Sequence, residues 1–178
     1  MLEQISPSLP TVLIVSNAEF CTHGQRQRDI FDSHRHHVYS IAYYMTGDEL
    51  EAEKILEATF IRTFRAGAGQ PDLDQIDNAL LAELAQRFSL ASVLEAAMPA
   101  GELDGISIGN VRRTELEEAL WGLPDTERLF FLLRDVEGYS PERIAGLVAR
   151  PVAAVRQTLH AARLLLRRQL SMHTAFSA

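Results

Sequence analysis

Apolar side chains near the carboxyl end of the chain recur with the spacing of an α-helix. Intervals of three or four residues place them on one face of a long helix, which we predict over 152–169. A shorter helix precedes it, because apolar residues within 144–148 have helical spacing too. The positions are Val155, Leu159, Ala162 and Leu166 in the long helix, and Ile144, Leu147 and Val148 in the short one.

The break between these two helices is short. Ser140 can cap the first helix by accepting a backbone N–H, and Pro141 suits the first helical position, which needs no N–H. Pro151 disfavours the helical conformation in Arg150 before it. Two helices joined in this way are typical of a DNA-binding helix-turn-helix. An ordinary amphipathic hairpin with a solvated basic face is the alternative interpretation.

Helical spacing continues through the rest of the chain, which predicts an all-α fold. Gly47 ends the first predicted helix, and Asp48 followed by Glu51 forms a capping box for the second. The earlier helices are predicted at 26–45, from 48 to about 66, 73–97, 112–121 and 125–137. Core candidates in the first helix are Ile30, Phe31, Val38, Ile41 and Ala42. The apolar positions of the second helix are Leu50, Ile55, Phe60 and Phe64.

One proline and three glycines interrupt the pattern between residues 98 and 110. We therefore predict two small helical domains, at 23–97 and 112–178, joined by a flexible linker at 98–111. The second is a four-helix domain that contains the helix-turn-helix. Residues 1–22 form an N-terminal extension, in which 11–15 is either a short strand or an apolar segment docked on the helices.

Charge distinguishes the carboxyl end from the rest of the chain. The whole chain has a net charge of −7, yet residues 141–178 contain six arginines and one acid. A stripe of Arg156, His160, Arg163 and Arg167 lies beside the apolar stripe of the long helix. Local positive charge in an acidic protein indicates a surface for nucleic acid.

Composition and motifs exclude several other classes. The single cysteine, Cys21, cannot form an internal disulfide and fits a reducing compartment. Apolar runs are too short to span a membrane, and the first residues lack the positive charge of a signal peptide, so we expect a cytoplasmic protein without membrane association. We find no phosphate-binding loop, nucleophile motif or paired catalytic carboxylates, so we expect no enzyme and no cofactor.

A cluster of histidines offers one alternative to this view. Cys21 and His23 precede His34, His36 and His37, and such residues could in principle hold zinc. The three later histidines fall on a predicted helix that would be partly exposed. We therefore predict no metal site.

The chain also shares a specific set of residues with one bacterial family. The carboxyl-terminal set is Leu123-Pro124, Arg128, Leu132-Leu133-Arg134-Asp135, Glu137-Gly138-Tyr139-Ser140, Ile144-Ala145, Pro151-Val152, Val155-Arg156, Leu159-His160 and Ala162-Arg163. The upstream set is Phe31 to His34, Val38 to Ala42, Thr46 to Asp48, Glu51 to Glu53 and Thr59 to Arg65. At these residues the chain resembles the fourth and second domains of extracytoplasmic-function (ECF) sigma factors.

The resemblance implies a protein without catalytic activity whose partners are core RNA polymerase, promoter DNA and an anti-sigma factor. The second domain would recognise and open the −10 element, and the fourth would recognise the −35 element. Its implied polymerase-binding residues are Glu53, Glu57, Thr59, Phe60 and Arg62. Its implied DNA-binding residues are Arg156, Gln157, Thr158, His160 and Arg163, with Arg143, Arg150 and Arg167 nearer the phosphate backbone.

Two stretches depart from the family pattern. Promoter opening normally uses a basic helix with aromatic side chains, but residues 72–104 hold seven acids, one base and one aromatic. Thr158 and Ala161 also stand where the family usually has arginines. A second hypothesis is therefore a sigma-like interaction protein that binds an anti-sigma factor or polymerase without opening promoters. A helix-turn-helix repressor is a weaker third, because it leaves 28–66 unexplained.

Overall fold

The computed structural model describes residues 17–66, 71–90 and 112–176. Every regular element within these ranges is helical, which confirms the predicted all-α fold. The predicted linker at 98–111 and the apolar segment at 11–15 fall outside them. The elements are α1 (Asn17–Thr46), α2 (Glu49–Ala66), α3 (Leu73–Arg87), α4 (Arg113–Trp121), α5 (Asp125–Phe131), a π-helical turn (Leu132–Val136) that continues α5, α6 (Pro141–Leu147) and α7 (Val152–Phe176).

Helices α1 and α2 form a helical hairpin around a tight turn. Gly47 adopts a positive φ of 69°, which glycine tolerates without a steric penalty. The Asp48 carboxylate then accepts the backbone N–H of Glu51 at 2.9 Å, as the capping pattern predicts. Helix α1 begins at Asn17, earlier than the predicted start at 26 and inside the predicted N-terminal extension.

Helix α3 packs on α1 and α2 and is shorter than predicted. Asp72 caps it by accepting the N–H of Gln75 at 2.8 Å. The chain leaves the helix at Phe88, whose backbone is extended, whereas the sequence predicts helix to about residue 97. Phe88 and Leu90 both pack against the core. Side chains two residues apart lie on the same side of an extended chain but not of a helix. Both can therefore pack on the core only if α3 ends before them.

The carboxyl-terminal half contains four helical segments, as predicted. The predicted helix at 125–137 is α-helical only as far as Phe131, and its last turn is π-helical. Gly138, with φ of 77°, ends that turn. Helix α7 continues to Phe176, beyond the predicted end at 169.

One hydrophobic core crosses the boundary between the two halves. Helix α1 contacts α4, α5 and the π-helical turn there, and α3 contacts α6. Trp121 lies against Gly47, where an added Cβ would approach its ring to 3.3 Å. The shared buried residues include Val38, Ile41 and Met45 from α1, Ile76 and Leu80 from α3, Leu129 and Phe130 from α5, Leu132 and Leu133 from the π-helical turn, Ile144 from α6, and Val155 and Leu159 from α7.

A buried arginine makes hydrogen bonds to both halves of the chain beside this core. Arg128 donates to the backbone carbonyls of Met45 at 2.7 Å, Trp121 at 2.9 Å and Leu123 at 2.8 Å. Met45 lies near the end of α1, so the guanidinium joins the two halves and lies where a helix dipole favours positive charge. Burial lowers the pKa of Arg128, since it penalises the charged form.

We expect Arg128→Ala to lower the free energy of unfolding by about 3 kcal/mol, because it leaves several buried carbonyls without a donor. Urea unfolding of the purified chain, followed by circular dichroism, measures this change. Arg168→Ala, at an exposed position of α7, is the control and should change stability by less than about 0.5 kcal/mol. Equal effects of the two substitutions would contradict the assigned role.

Candidate nucleic-acid interface

Helices α6 and α7 form the helix-turn-helix that the sequence predicts. Ser140 caps α6 by accepting the N–H of Arg143 at 3.1 Å, and Pro141 occupies its first turn. In the turn that follows, Ala149 adopts a φ of 51°, and the Arg150 N–H donates to the Ala145 carbonyl at 3.0 Å. The turn is therefore closed by backbone contacts, with a non-glycine residue in the left-handed region.

The apolar stripe of α7 is buried as predicted, which fixes the orientation of this helix. Val155, Leu159, Ala162 and Leu166 are all at most 7% exposed. Arg156 and Gln157 consequently lie on the exposed side near the amino-terminal end of α7. In helix-turn-helix proteins this end of the second helix contacts base edges in the major groove.

Arg156 is paired within the helix-turn-helix itself. Its Nη2 donates to Oε1 of Glu142 on α6 at 2.7 Å. Backbone hydrogen bonding lowers the pKa of Glu142, and the hydrogen bond from Arg156 lowers it further. Both side chains are more than half exposed, so solvent weakens the pair and a phosphate or base edge can replace Glu142.

The remainder of the predicted basic stripe is not uniformly exposed. Arg163 makes two hydrogen bonds to Asp135 of the π-helical turn, at 2.7 and 3.2 Å. His160 and Arg167 are partly buried, and each has a buried nitrogen without a hydrogen-bond partner in the described part of the chain. The predicted stripe is therefore most exposed at Arg156 and only partly exposed towards its carboxyl-terminal end.

The hydroxyl of Thr158 makes a hydrogen bond within its own helix. Its hydroxyl donates to the Ala154 carbonyl at 3.0 Å, one turn earlier in α7. Threonine in a helix commonly makes this bond to its own backbone. A hydroxyl engaged in this way adds little to a surface for DNA.

Arg143 and Arg150 face the amino-terminal half of the chain. Nη2 of Arg143 lies 2.7 Å from Asp74 and 3.1 Å from Asp77, both on α3. Nη2 of Arg150 donates to the Leu90 carbonyl at 2.8 Å. The two arginines expected near the phosphate backbone therefore contact the other domain in this conformation.

The acids of α3 form contacts within the protein rather than a free acidic surface. Asp77 is 2% exposed and Glu83 is 7% exposed. Glu83 accepts Nε of Arg62 at 2.8 Å. The acids of α3 thus have arginine partners within the chain, and the fold reveals these partners whereas the sequence does not.

The implied polymerase-binding residues divide into two groups. Glu53 and Glu57 are exposed on α2, as a binding surface requires, and Arg62 is exposed apart from its pair with Glu83. Thr59 and Phe60 are buried at 0% and 4% exposure, so the structure corrects their assignment to a binding surface. They pack in the core instead.

Two apolar side chains on the outer side of α2 are exposed, which was not predicted from the sequence. Leu50 is 68% exposed and Ile61 is 41% exposed. Their spacing from Glu53 and Glu57 places all four on one helix face. The sequence identifies Leu50 only as an apolar position of this helix, because helical spacing does not reveal which face packs.

The described residues contain no group of three or more His, Cys, Asp and Glu side chains that could hold a metal ion. The side chains of Cys21 and His23 fall outside the described part. His37, from the same predicted cluster, has each ring nitrogen within hydrogen-bond distance of a carboxylate. Among the described helices, none is long and apolar enough to cross a membrane.

Comparison with known proteins agrees with this geometry. Residues 113–166, which comprise most of the carboxyl-terminal half, match the family described as Sigma-70, region 4. The chain is also homologous to ECF sigma factors, as the predicted resemblance requires. Helix α6, the turn after it and most of α7 lie inside the matched region.

Two curated relatives are similar over most of this chain. The ECF RNA polymerase sigma factor SigE of Mycolicibacterium smegmatis is 29% identical over 164 residues, which cover 84% of this chain and 63% of SigE. The chain thus spans less than two thirds of that relative. The ECF RNA polymerase sigma factor SigW of Bacillus subtilis is 25% identical over 167 residues, which cover 80% of this chain and 87% of SigW.

A solved structure has the same fold. It is the sigma factor RpoE in a co-crystal with the anti-sigma factor NepR from Bartonella quintana. The two chains superimpose with a TM-score of 0.59 at 14% identity, over 84% of this chain and 97% of the other. The likeness supports the all-helical fold.

We expect Ala149→Gly to raise the free energy of unfolding by about 1 kcal/mol, because glycine removes the steric cost of the left-handed conformation. Ala58→Gly, inside α2, is the control and should lower it by about 1 kcal/mol. Thermal or urea unfolding of both variants measures the difference in sign. A loss of stability in both would show that Ala149 is not strained.

Proposed function

We propose that this chain is a sigma factor that binds core RNA polymerase and directs transcription initiation. Its α6–α7 unit recognises the −35 promoter element, and it acts as a non-enzymatic regulator in the cytoplasm. One observation carries this proposal. The region matched by the sigma-70 family coincides with a helix-turn-helix whose second helix exposes Arg156 and Gln157 at its amino-terminal end.

In this proposal Arg156 and Gln157 recognise the bases directly. Arginine can make two hydrogen bonds to guanine, and glutamine two to adenine, in the major groove. Glu142 holds Arg156 in position through an exposed pair that DNA can replace. Arg143, Arg150 and Arg163 supply phosphate contacts after leaving the partners they have in this conformation, and Arg167 supplies another.

In this proposal the outer face of α2 binds the polymerase. Glu53 and Glu57 provide its charge, and Leu50 and Ile61 provide its apolar area. Two large exposed apolar side chains on the same face as these charges support the choice of this face as the interface. Buried Thr59 and Phe60 support this face from below.

The test is transcription by core RNA polymerase with this protein on fragmented genomic DNA from its own source, with transcript 5′ ends determined by sequencing. We expect discrete new starts that share an upstream element. The control contains polymerase without the protein. Stable polymerase binding without new starts would contradict the proposed function and favour the second candidate.

Arg156→Ala should weaken binding to the shared upstream element by about 1–3 kcal/mol, because it removes a base contact. Titration of the labelled promoter duplex at fixed salt measures the loss. Arg113→Ala, an exposed position on α4 paired with Glu117, is the matched control and should bind nearly as the parent does. Unchanged affinity of Arg156→Ala would remove this residue from the recognition surface.

A sigma-like interaction protein is the second candidate. Its support is α3, which lies in the segment where promoter opening would be expected and whose acids pair with Arg62 and Arg143 of the chain itself. An acidic helix repels the phosphates of opened DNA. Such a protein would bind an anti-sigma factor or polymerase without producing transcripts, and the α2 face would be its principal site.

A further inference from the structure

A buried polar cluster lies where the two halves of the chain meet. His37 comes from α1 and Asp77 from α3, whereas Glu137 and Tyr139 follow the π-helical turn and Arg143 comes from α6. The Nδ1 atom of His37 lies 2.7 Å from Glu137 Oε2, and its Nε2 atom lies 2.8 Å from Asp77 Oδ1. The imidazole therefore bridges one carboxylate from each half.

This geometry identifies the protonation state of His37. A carboxylate oxygen only accepts hydrogen bonds, so both ring nitrogens must carry a proton to make both contacts. The bridging form is thus the imidazolium. Burial lowers the pKa of His37, but the hydrogen bonds and charges of Asp77 and Glu137 outweigh burial and raise the pKa above its usual value of 6.5.

Asp77 is the centre of the cluster. Besides His37, it accepts the Tyr139 hydroxyl at 2.7 Å and Nη2 of Arg143 at 3.1 Å, while only 2% of it is exposed. The Arg143 guanidinium also lies 4.2 Å from the centre of the Tyr139 ring. Burial and the hydrogen bond to Asp77 raise the pKa of Tyr139, so its hydroxyl stays a donor.

The cluster determines what the helix-turn-helix can contact. Arg143 is held against α3 by Asp74 and Asp77, and Arg150 is held by the Leu90 carbonyl nearby. The Nη2 atom of each guanidinium is engaged in this conformation, which leaves less of the guanidinium for a phosphate contact. Arg156 and Gln157 remain exposed in the same conformation. The contact between α3 and α6 therefore lowers affinity for the DNA phosphates more than it lowers base recognition.

We propose that His37, bridging Asp77 and Glu137, is a proton-sensitive latch that holds α6 against α3 and withholds Arg143 and Arg150 from DNA. This inference rests on the DNA binding proposed above. The latch joins residues of both halves, so its loss weakens the contact of α6 with the acidic helix α3. Its regulator is the proton.

The direction of the pH dependence follows from the charges around the ring. The groups that face it are Asp77 from α3, Glu137 and Tyr139 after the π-helical turn, and Arg143 from α6 behind Tyr139. Below pH 6.5 the imidazolium form is populated and its stabilisation of the closed contact is complete. That stabilisation is lost as the pH rises through the raised pKa of His37. The closed contact then weakens and DNA affinity increases.

The test compares the parent with His37→Gln, which cannot carry a proton on both sides. At about pH 5.5 we expect the variant to bind a labelled mixed-sequence duplex about tenfold more tightly than the parent, within the usual range for coupled sites. At about pH 8.5 the two affinities should converge. Parallel pH profiles of parent and variant would overturn the latch.

His36→Gln is the matched control, since this neighbouring histidine is exposed, and it should follow the parent at every pH. Glu137→Gln is a second variant that removes one carboxylate from a partly exposed position. It should lower the pKa of His37, measured from the ring proton resonance by NMR. An unchanged pKa would contradict the bridging role.

Hydrogen exchange without DNA separates failure of the latch from failure of DNA binding. At about pH 5.5 the amides of α6 should exchange faster in His37→Gln than in the parent, because the α3–α6 contact is weakened. If this occurs and no chain binds DNA at any pH, the latch stands and the proposed DNA binding fails. Equal exchange in both chains would overturn the latch.

Discussion

The fold depends on one constraint, which is that two halves with separate sequence patterns complete a single hydrophobic core. Helix α1 contributes the central layer, and α5 with the π-helical turn packs on it from the other half. Arg128 strengthens this union, because its guanidinium serves carbonyls of both halves at once. A cation placed there is tolerated only while all three carbonyls surround it.

The shared core brings unlike charges together. Helix α3, rich in acids, and α6, at the start of the basic region, lie in contact across the boundary. Each acid of α3 described above caps its own helix or pairs with an arginine. The part of this segment that forms α3 is therefore matched to this chain's own cations, and its sequence is consistent with its surroundings.

Local features of the fold were accessible from the sequence, and features that depend on distant neighbours were not. Helical spacing and the caps at Asp48 and Ser140 are determined within one or two turns, and both side chains accept the predicted backbone N–H. The second bond of the predicted capping box is absent, because the Asp48 N–H donates to Thr46 Oγ1 instead of to Glu51. The burial of Phe60 and the exposure of Leu50 depend on which side of α2 the core occupies. The partners of Arg143 lie more than sixty residues away in the chain, where periodicity carries no information.

The π-helical turn at Leu132–Val136 has a consequence for how the chain aligns with others. A single extra residue in a helix rotates everything after it by about 100° relative to what precedes it. In this chain the wider turn is closed by the Glu137 N–H donating to the Leu132 carbonyl at 3.0 Å. A homologue that lacks the extra residue would direct its counterpart of Glu137 to a different side of the helix. Alignments that allow a one-residue gap between 132 and 136 therefore identify which relatives can place a carboxylate opposite α1.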